Sequence, residues 1–194
     1  MRSPKSTVRH VSLITRNREK LMAAKAAFSK YGIGVQQITK KYYEIQADSS
    51  VEIARHTALH AAKIEGIPVI REDHSFFIRA FGGMPGPYIA YIERWLSADL
   101  LARAMRGFKD RRAYFELAAV YATPEGRFKE YINRVEITLA PKPVGRQAAG
   151  WNRLMMFKGD SRTFAQYPEE ERTMAWSGNF LSIAKDLSEG RLMD

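Results

Sequence analysis

One stretch constrains this chain more than any other: Val69 to Tyr88, VIREDHSFFIRAFGGMPGPY. The short apolar run Pro68, Val69, Ile70 predicts a buried strand. It ends in two adjacent carboxylates, Glu72 and Asp73, followed by the aromatic residues Phe76, Phe77 and Phe81. Glycine and proline from Gly82 to Pro87 then predict a tight, shaped loop rather than a flexible linker. Acids at the exit of a strand are placed to hold a hard cation in a cleft. A surface acidic pair before a turn is the competing reading, and only the rest of the chain separates the two.

Upstream, the β-branched run Thr7–Thr15 predicts a first strand. Asn17 opens a helix that places Leu21, Ala24, Phe28 and Tyr31 on one face, and Gly32 and Gly34 stop it. The strand-to-helix turn carries Thr15, Asn17 and Lys20. A helix N-terminus with free N–H groups and a lysine in its first turn suits a phosphate. An N-cap with an exposed lysine is the plainer alternative. Val35–Tyr43 is a second predicted strand, and Glu44, Ile45 and Gln46 follow it. Ser49 and Glu52 have capping-box spacing, which starts a helix over Ser50–Glu65 ended by Gly66 and Pro68. His56 and His60 lie one turn apart there, but no glutamate follows His56, so the zinc-protease pattern is absent. Strand, helix, strand, helix, strand predicts an α/β fold with some parallel pairing.

Downstream, Ile89–Arg106 reads as one helix with Ile92, Trp95, Leu96 and Leu100 apolar. Arg103, Arg106, Lys109, Arg111 and Arg112 form a basic segment, either a nucleic-acid contact or a solvated face beside a turn. Ala113–Ala122 and Arg127–Leu139 predict a hairpin through Thr123-Pro124-Glu125-Gly126. Residues Pro141–Gly150 read as a loop, and Ser177–Leu187 as a closing helix. At 194 residues the chain fits one domain, or two closely joined lobes. It has no cysteine, which excludes disulfides, thiol catalysis and thiolate metal sites. Without an apolar signal core in MRSPKSTVRH or a membrane-length apolar run, it reads as cytoplasmic with no membrane partner. A net charge of +10, from 31 Lys and Arg against 21 Asp and Glu, favours anionic partners.

Taken in order, these pieces resemble the inosine triphosphate pyrophosphatase family, the Ham1-like purine nucleoside triphosphatases. Thr15-Arg16-Asn17-Arg18-Glu19-Lys20 is similar to the family's T-x-N-x-x-K motif, and Glu44-Ile45-Gln46 to its E-I/Y-Q element. Glu72-Asp73 is similar to its E/D-D-S/T-G-L motif, and Gly82–Tyr88 to its G-G-x-P-G-x-Y loop. Asp110-Arg111-Arg112-Ala113-Tyr114 resembles the segment before its hairpin. Gly150-Trp151 and Thr163-Phe164-Ala165 resemble its G-W/Y-D-P-I-F and T-F/Y-A-E-M regions. The resemblance implies an elongated mixed β-sheet with flanking helices, one domain over residues 1–194 with two lobes around a central cleft, and a homodimer. It implies cleavage of a nucleoside triphosphate between the α and β phosphates, giving monophosphate and pyrophosphate with Mg²⁺ as cofactor. Glu44 and Asp73 would bind the metal. Asp73, Glu72 and Lys20 would be catalytic, with Asp73 or Glu72 acting on the attacking water. Thr15, Asn17, Lys20, Gly83, Trp151, Asn152, Arg153 and Ser177 would bind the substrate.

The departures fall on the base-reading half. Asn152 replaces the family's aspartate, and Arg153-Leu154-Met155 replaces Pro-Ile-Phe. Ser177-Gly178-Asn179 stands for Ser-His-Arg, Gln166 for glutamate, His74-Ser75 for Thr-Gly, and Ala23 for a first-helix glutamate. Losing base hydrogen bonds changes discrimination by ~10²–10⁴. His74 is either a replacement functional group or a tolerated polar residue, while Arg153 and Trp176 offer a different stacking platform. Three readings stand: a pyrophosphatase with altered base specificity, a non-catalytic binder of nucleotide or nucleic acid, and an oligomerising homologue without ligand.

Overall fold

The computed structural model describes residues 8–146 and 150–192. Thr7 of the first predicted strand and residues 147–149 of the predicted loop lie outside them. In chain order the elements begin with β1 (His10–Ile14), α1 (Arg18–Ser29), β2 (Gly34–Ile38), α2 (Ser50–Glu65) and β3 (Val69–Ile78). Next come β4 (Pro85–Gly86), α3 (Ile89–Ile92), α4 (Ala98–Ala104), β5 (Arg112–Ala122) and β6 (Phe128–Leu139). The chain closes with β7 (Met155–Phe157), α5 (Glu169–Met174) and α6 (Gly178–Ser188). The strands form one mixed sheet in the order β2-β1-β3-β5-β6-β7, with β4 paired to β3. β1 runs parallel to both β2 and β3, while β3, β5, β6 and β7 pair antiparallel in succession.

The two sheet faces bury different partners. On one, Ile70, Phe76, Phe115 and Leu117 meet α1 and α6, where the Phe28 and Phe180 rings sit 6.4 Å apart. On the other, α2 lays Ala54, Ala58, Ala61 and Ala62 against Val69, Val120 and Ala122. Small residues let that helix approach the sheet closely, and the larger side chains of the first face carry more of the burial. Each fully buried Phe, Leu or Ile contributes ~1.5–3 kcal/mol of transfer free energy.

Several elements differ from the sequence expectation, each for an identifiable reason. The acidic pair is not at a strand exit: β3 runs through Glu72 and Asp73, and β5 pairs with it along its whole length. Cross-strand aromatic pairs extend it, Phe76 on Phe115 at 4.5 Å and Phe77 on Tyr114 at 4.8 Å. β2 stops at Ile38, so Glu44 lies on an irregular segment rather than just after a strand. Ser49 caps α2 by position but makes no side-chain cap bond; Gln166 closes a box instead, accepting from the Thr163 N–H at 2.9 Å.

The helix expected over Ile89–Arg106 is two helices. Ser97 caps the second by accepting from the Leu100 N–H, and Trp151 Nε1 holds the break by donating to the Leu96 carbonyl at 2.6 Å. In the basic segment, Arg111 donates to the carbonyls of Leu139 and Ala140, and Arg112 to Asp110. These two guanidinium groups serve the fold. Among the described residues, no helix is long and apolar enough to cross a membrane.

Candidate active site

The site begins as an opening in the sheet. β1 covers the edge of β3 only as far as Arg71, and β4 takes that edge up again at Phe76. Glu72 to Ser75 therefore face the opening on one edge while remaining paired to β5 on the other. Edge carbonyls need partners. Lys20 supplies one, its Nζ donating to the Glu72 carbonyl at 2.9 Å. Asn17 fixes that lysine's backbone: its side-chain oxygen caps α1, accepting from the N–H groups of Glu19 and Lys20 at 2.8 and 3.2 Å. Thr15 Oγ1 in turn accepts from the Asn17 N–H at 3.1 Å.

Two cavities meet at this opening and share Asn17, Lys20, Asp73 and Ala90. The larger, about 530 Å³, has a cationic lining of Arg16, Lys20, Lys40, Lys41 and Arg71, with Thr15, Tyr42 and Tyr43. Its carboxylates are Glu44 and Asp73. Arg71 bridges the wall, donating to Glu44 at 2.5 Å and to the Ile14 carbonyl at 3.2 Å. Five cations, a helix N-terminus and two carboxylates suit a polyanion carrying a hard cation. The smaller cavity, about 290 Å³, is lined on its aromatic side by Phe115, Phe164 and Trp176. Its polar groups include His74, Glu93, Asn152 and Arg172. A flat, partly polar ring fits such a slot.

Burial sets the electrostatics. It pushes the Lys20 ammonium below its usual range, against the pull of Glu72 and Asp73. It also holds the His74 imidazole down, with Lys20 adding to the effect and Glu72 opposing it. Glu72 is only 1% exposed, and one of its oxygens lies 2.9 Å from His74 Nε2. The other has no hydrogen-bond partner among the described residues. The Glu72 side chain thus bonds His74 from behind without lining either cavity.

The structure brings together Thr15, Asn17, Lys20, Glu44, Asp73 and Asn152 of the residues expected from sequence. Among the described residues, Glu72, Gly83, Trp151, Arg153 and Ser177 stand outside both linings. Trp151 is a core residue, packed 6.0 Å from Phe76, and Arg153 reaches toward Asp99 at 3.9 Å. Ser177 donates to the Met174 carbonyl, and Gly83 follows a tight turn at φ 99° with Phe77 beside it. Trp176, in contrast, does line the aromatic cavity, 5.9 Å from His74. The residues standing for Ser-His-Arg pack into the fold here. A Cβ at Gly178 would lie 2.4 Å from Asn133 Nδ2, and Asn179 is buried, donating to the Leu117 carbonyl at 2.8 Å.

Sequence reasoning missed Glu93, Arg172 and Glu19. Arg172 pairs with Glu19 across the smaller cavity, a contact between opposite ends of the chain with no local signature. Glu93 did leave a trace, since it lies one turn after buried Ile89 on an otherwise apolar helical stripe. Among the described residues, no three His, Asp or Glu side chains gather as a metal site. Glu44 and Asp73 still fit a hard cation, because Mg²⁺ takes one or two carboxylates and completes its shell with water and phosphate.

The chain is 34% identical over 181 residues to the dITP/XTP pyrophosphatase of Ignicoccus hospitalis, covering 92% of this chain and 96% of that one. It is 33% identical over 162 residues to the dITP/XTP pyrophosphatase of Methanopyrus kandleri, covering 84% and 86%. The fold matches a HAM1 protein from Coxiella burnetii with a TM-score of 0.75 at 21% identity, over 93% of this chain and 98% of that one. The family model described as the Ham1 family matches residues 11–177, from β1 to the start of α6, and the chain belongs to that family.

Proposed function

We propose that this protein is a nucleoside-triphosphate pyrophosphatase, hydrolysing a nucleoside triphosphate to the monophosphate and pyrophosphate. One observation carries the reading: a cationic cavity with two carboxylates opens into an aromatic cavity through Asn17, Lys20 and Asp73. A polyphosphate in the first directs its base into the second. Family membership and relatives named dITP/XTP pyrophosphatases support the same reaction.

In this mechanism Asp73, which borders both cavities, orients the attacking water and accepts its proton. The water oxygen bonds to the α phosphorus, the bond from that phosphorus to the bridging oxygen breaks, and pyrophosphate leaves. Lys20 neutralises charge that develops on the phosphate oxygens, and the N-terminus of α1 adds its dipole. Glu44 and Asp73 are the residues that would hold Mg²⁺, which supplies charge neutralisation and Lewis acidity when bound. Glu72 contributes indirectly, holding His74 through its side chain and Lys20 through its carbonyl. Thr15 and Asn17 shape the phosphate end, and Asn152 and Trp176 the base end.

The test is a triphosphate panel scored for pyrophosphate against orthophosphate. Wild type releases pyrophosphate with Mg²⁺, and Asp73→Asn lowers the rate by at least ~10². Silence of the wild type on every base, or release of orthophosphate alone, refutes the reading.

The protein works as one domain whose two lobes meet at the cleft, and as a homodimer. Exposed aromatic surface supports the dimer: Tyr91 is 59% and Trp95 73% exposed, their rings 6.5 Å apart. A cysteine-free chain suits the reducing cytoplasm, where nucleotide pools are held.

A further inference from the structure

We propose that Glu93 reads the base, and that its carboxylate selects a purine presenting an N1–H and a 2-amino group together, the hydrogen-bonding edge of guanine. The inference rests on the pyrophosphatase reading above and specifies the base that the smaller cavity accepts.

The cavity's polar groups differ in what they can still do. Arg172 is committed to Glu19 and to the Phe164 carbonyl. His74 faces Glu72 through Nε2. Asn152 carries both a donor and an acceptor, so it adapts to either kind of base edge. Asp73 belongs to the phosphate end, which it shares with the cationic cavity. Glu93 is the carboxylate that lines this cavity alone and, among the described residues, is tied to no cation; an ionised carboxylate accepts without donating.

Its position is fixed by backbone. The Trp151 N–H donates to Glu93 Oε1 at 3.0 Å, and a carboxylate offers further acceptor sites on both oxygens. Gly150 makes room for it: a Cβ there would lie 2.5 Å from Oε1 and 2.8 Å from Oε2. Its own helix and the turn before β7 thus clamp the group from two sides. Burial pushes the Glu93 carboxyl above its usual range despite the bond from Trp151. A guest that donates hydrogen bonds offsets that cost, whereas one that offers lone pairs adds to it.

The edges of the purines then order themselves. A guanine edge offers two parallel donors, N1–H and N2–H, to the two oxygens of one carboxylate. A hypoxanthine edge offers only N1–H. An adenine edge offers one amino hydrogen beside an N1 lone pair that repels the carboxylate. Each charge-assisted hydrogen bond is worth about tenfold or more in affinity.

The experiment measures calorimetric binding of guanosine, inosine and adenosine monophosphates to the wild type and to Glu93→Gln. No turnover is needed. Failure of pyrophosphate release on every triphosphate would therefore sink the proposed reaction and still leave the base order readable. The wild type is expected to bind the guanosine compound about tenfold or more tighter than the inosine one. Adenosine should bind weakest. Glutamine keeps an oxygen for the Trp151 N–H but turns one acceptor into a donor, so the guanosine preference should disappear. Equal wild-type binding of guanosine and inosine compounds, which differ only by the 2-amino group, would overturn the proposal without any variant. So would an unchanged base order in a folded Glu93→Gln, since Glu93 would then only position Trp151.

Discussion

Lys20 serves the fold and, in the proposed reaction, the chemistry as well. Its Nζ satisfies a strand carbonyl that the sheet leaves open, while its charge faces Asp73 at the junction of the two cavities. Replacing it with methionine keeps the stem and removes the ammonium. Steady-state kinetics of Lys20→Met should show kcat/KM reduced by at least ~10², as for removal of one preorganised donor. Arginine should not restore the activity, because a planar fork does not fit where a single compact charge reaches one buried carbonyl. An unimpaired Lys20→Met would mean that the phosphates are bound elsewhere. At this scale the gathering of Thr15, Asn17, Lys20, Glu44 and Asp73 around one cavity was legible in the sequence. Asn17 and Lys20 declare themselves through helix-cap spacing, which is local. Glu93 and Arg172 did not, because their roles depend on Trp151 and Glu19, partners far away along the chain.

Among the elements, local signal marked α2 over its full extent, Ser50–Glu65, through the capping-box spacing at Ser49 and the stop at Gly66, although the cap bond itself does not form. It joined α3 and α4 wrongly, since the break is held by Trp151 donating to Leu96 rather than by glycine or proline. It ended β3 too early for a similar reason: the acids look like a terminus until β5 pairs with them on the other edge. The tie between α6 and the sheet was also unreadable. Asn179 is buried and donates to the Leu117 carbonyl in the middle of β5. Asn179→Ala removes that donor and leaves the carbonyl without this partner, which should cost about 1–3 kcal/mol. Urea denaturation reads it as a lower midpoint with an unchanged slope. A midpoint equal to wild type would show that water replaces the amide without loss.

Over the whole molecule, the exposed aromatics beside α3 predict an assembly state. Trp95→Asp places a charge in the middle of the Tyr91–Trp95 patch. If that patch is the dimer contact, sedimentation velocity should show a dimeric wild type and a monomeric variant with an unchanged circular dichroism spectrum. A dimeric Trp95→Asp would move the contact to another face. The opening beside β3 has a different kind of consequence. Because side chains along a strand alternate between its faces, Arg71 and Asp73 belong to one side of the sheet, and Glu72, His74 and Phe76 to the other. The strand thus presents His74 to the aromatic slot from one face and Arg71 to the cationic cavity from the other, while Asp73 borders both. A change at His74 can therefore alter the slot while Arg71 and its bond to Glu44 stay in place, and one strand keeps the two in register.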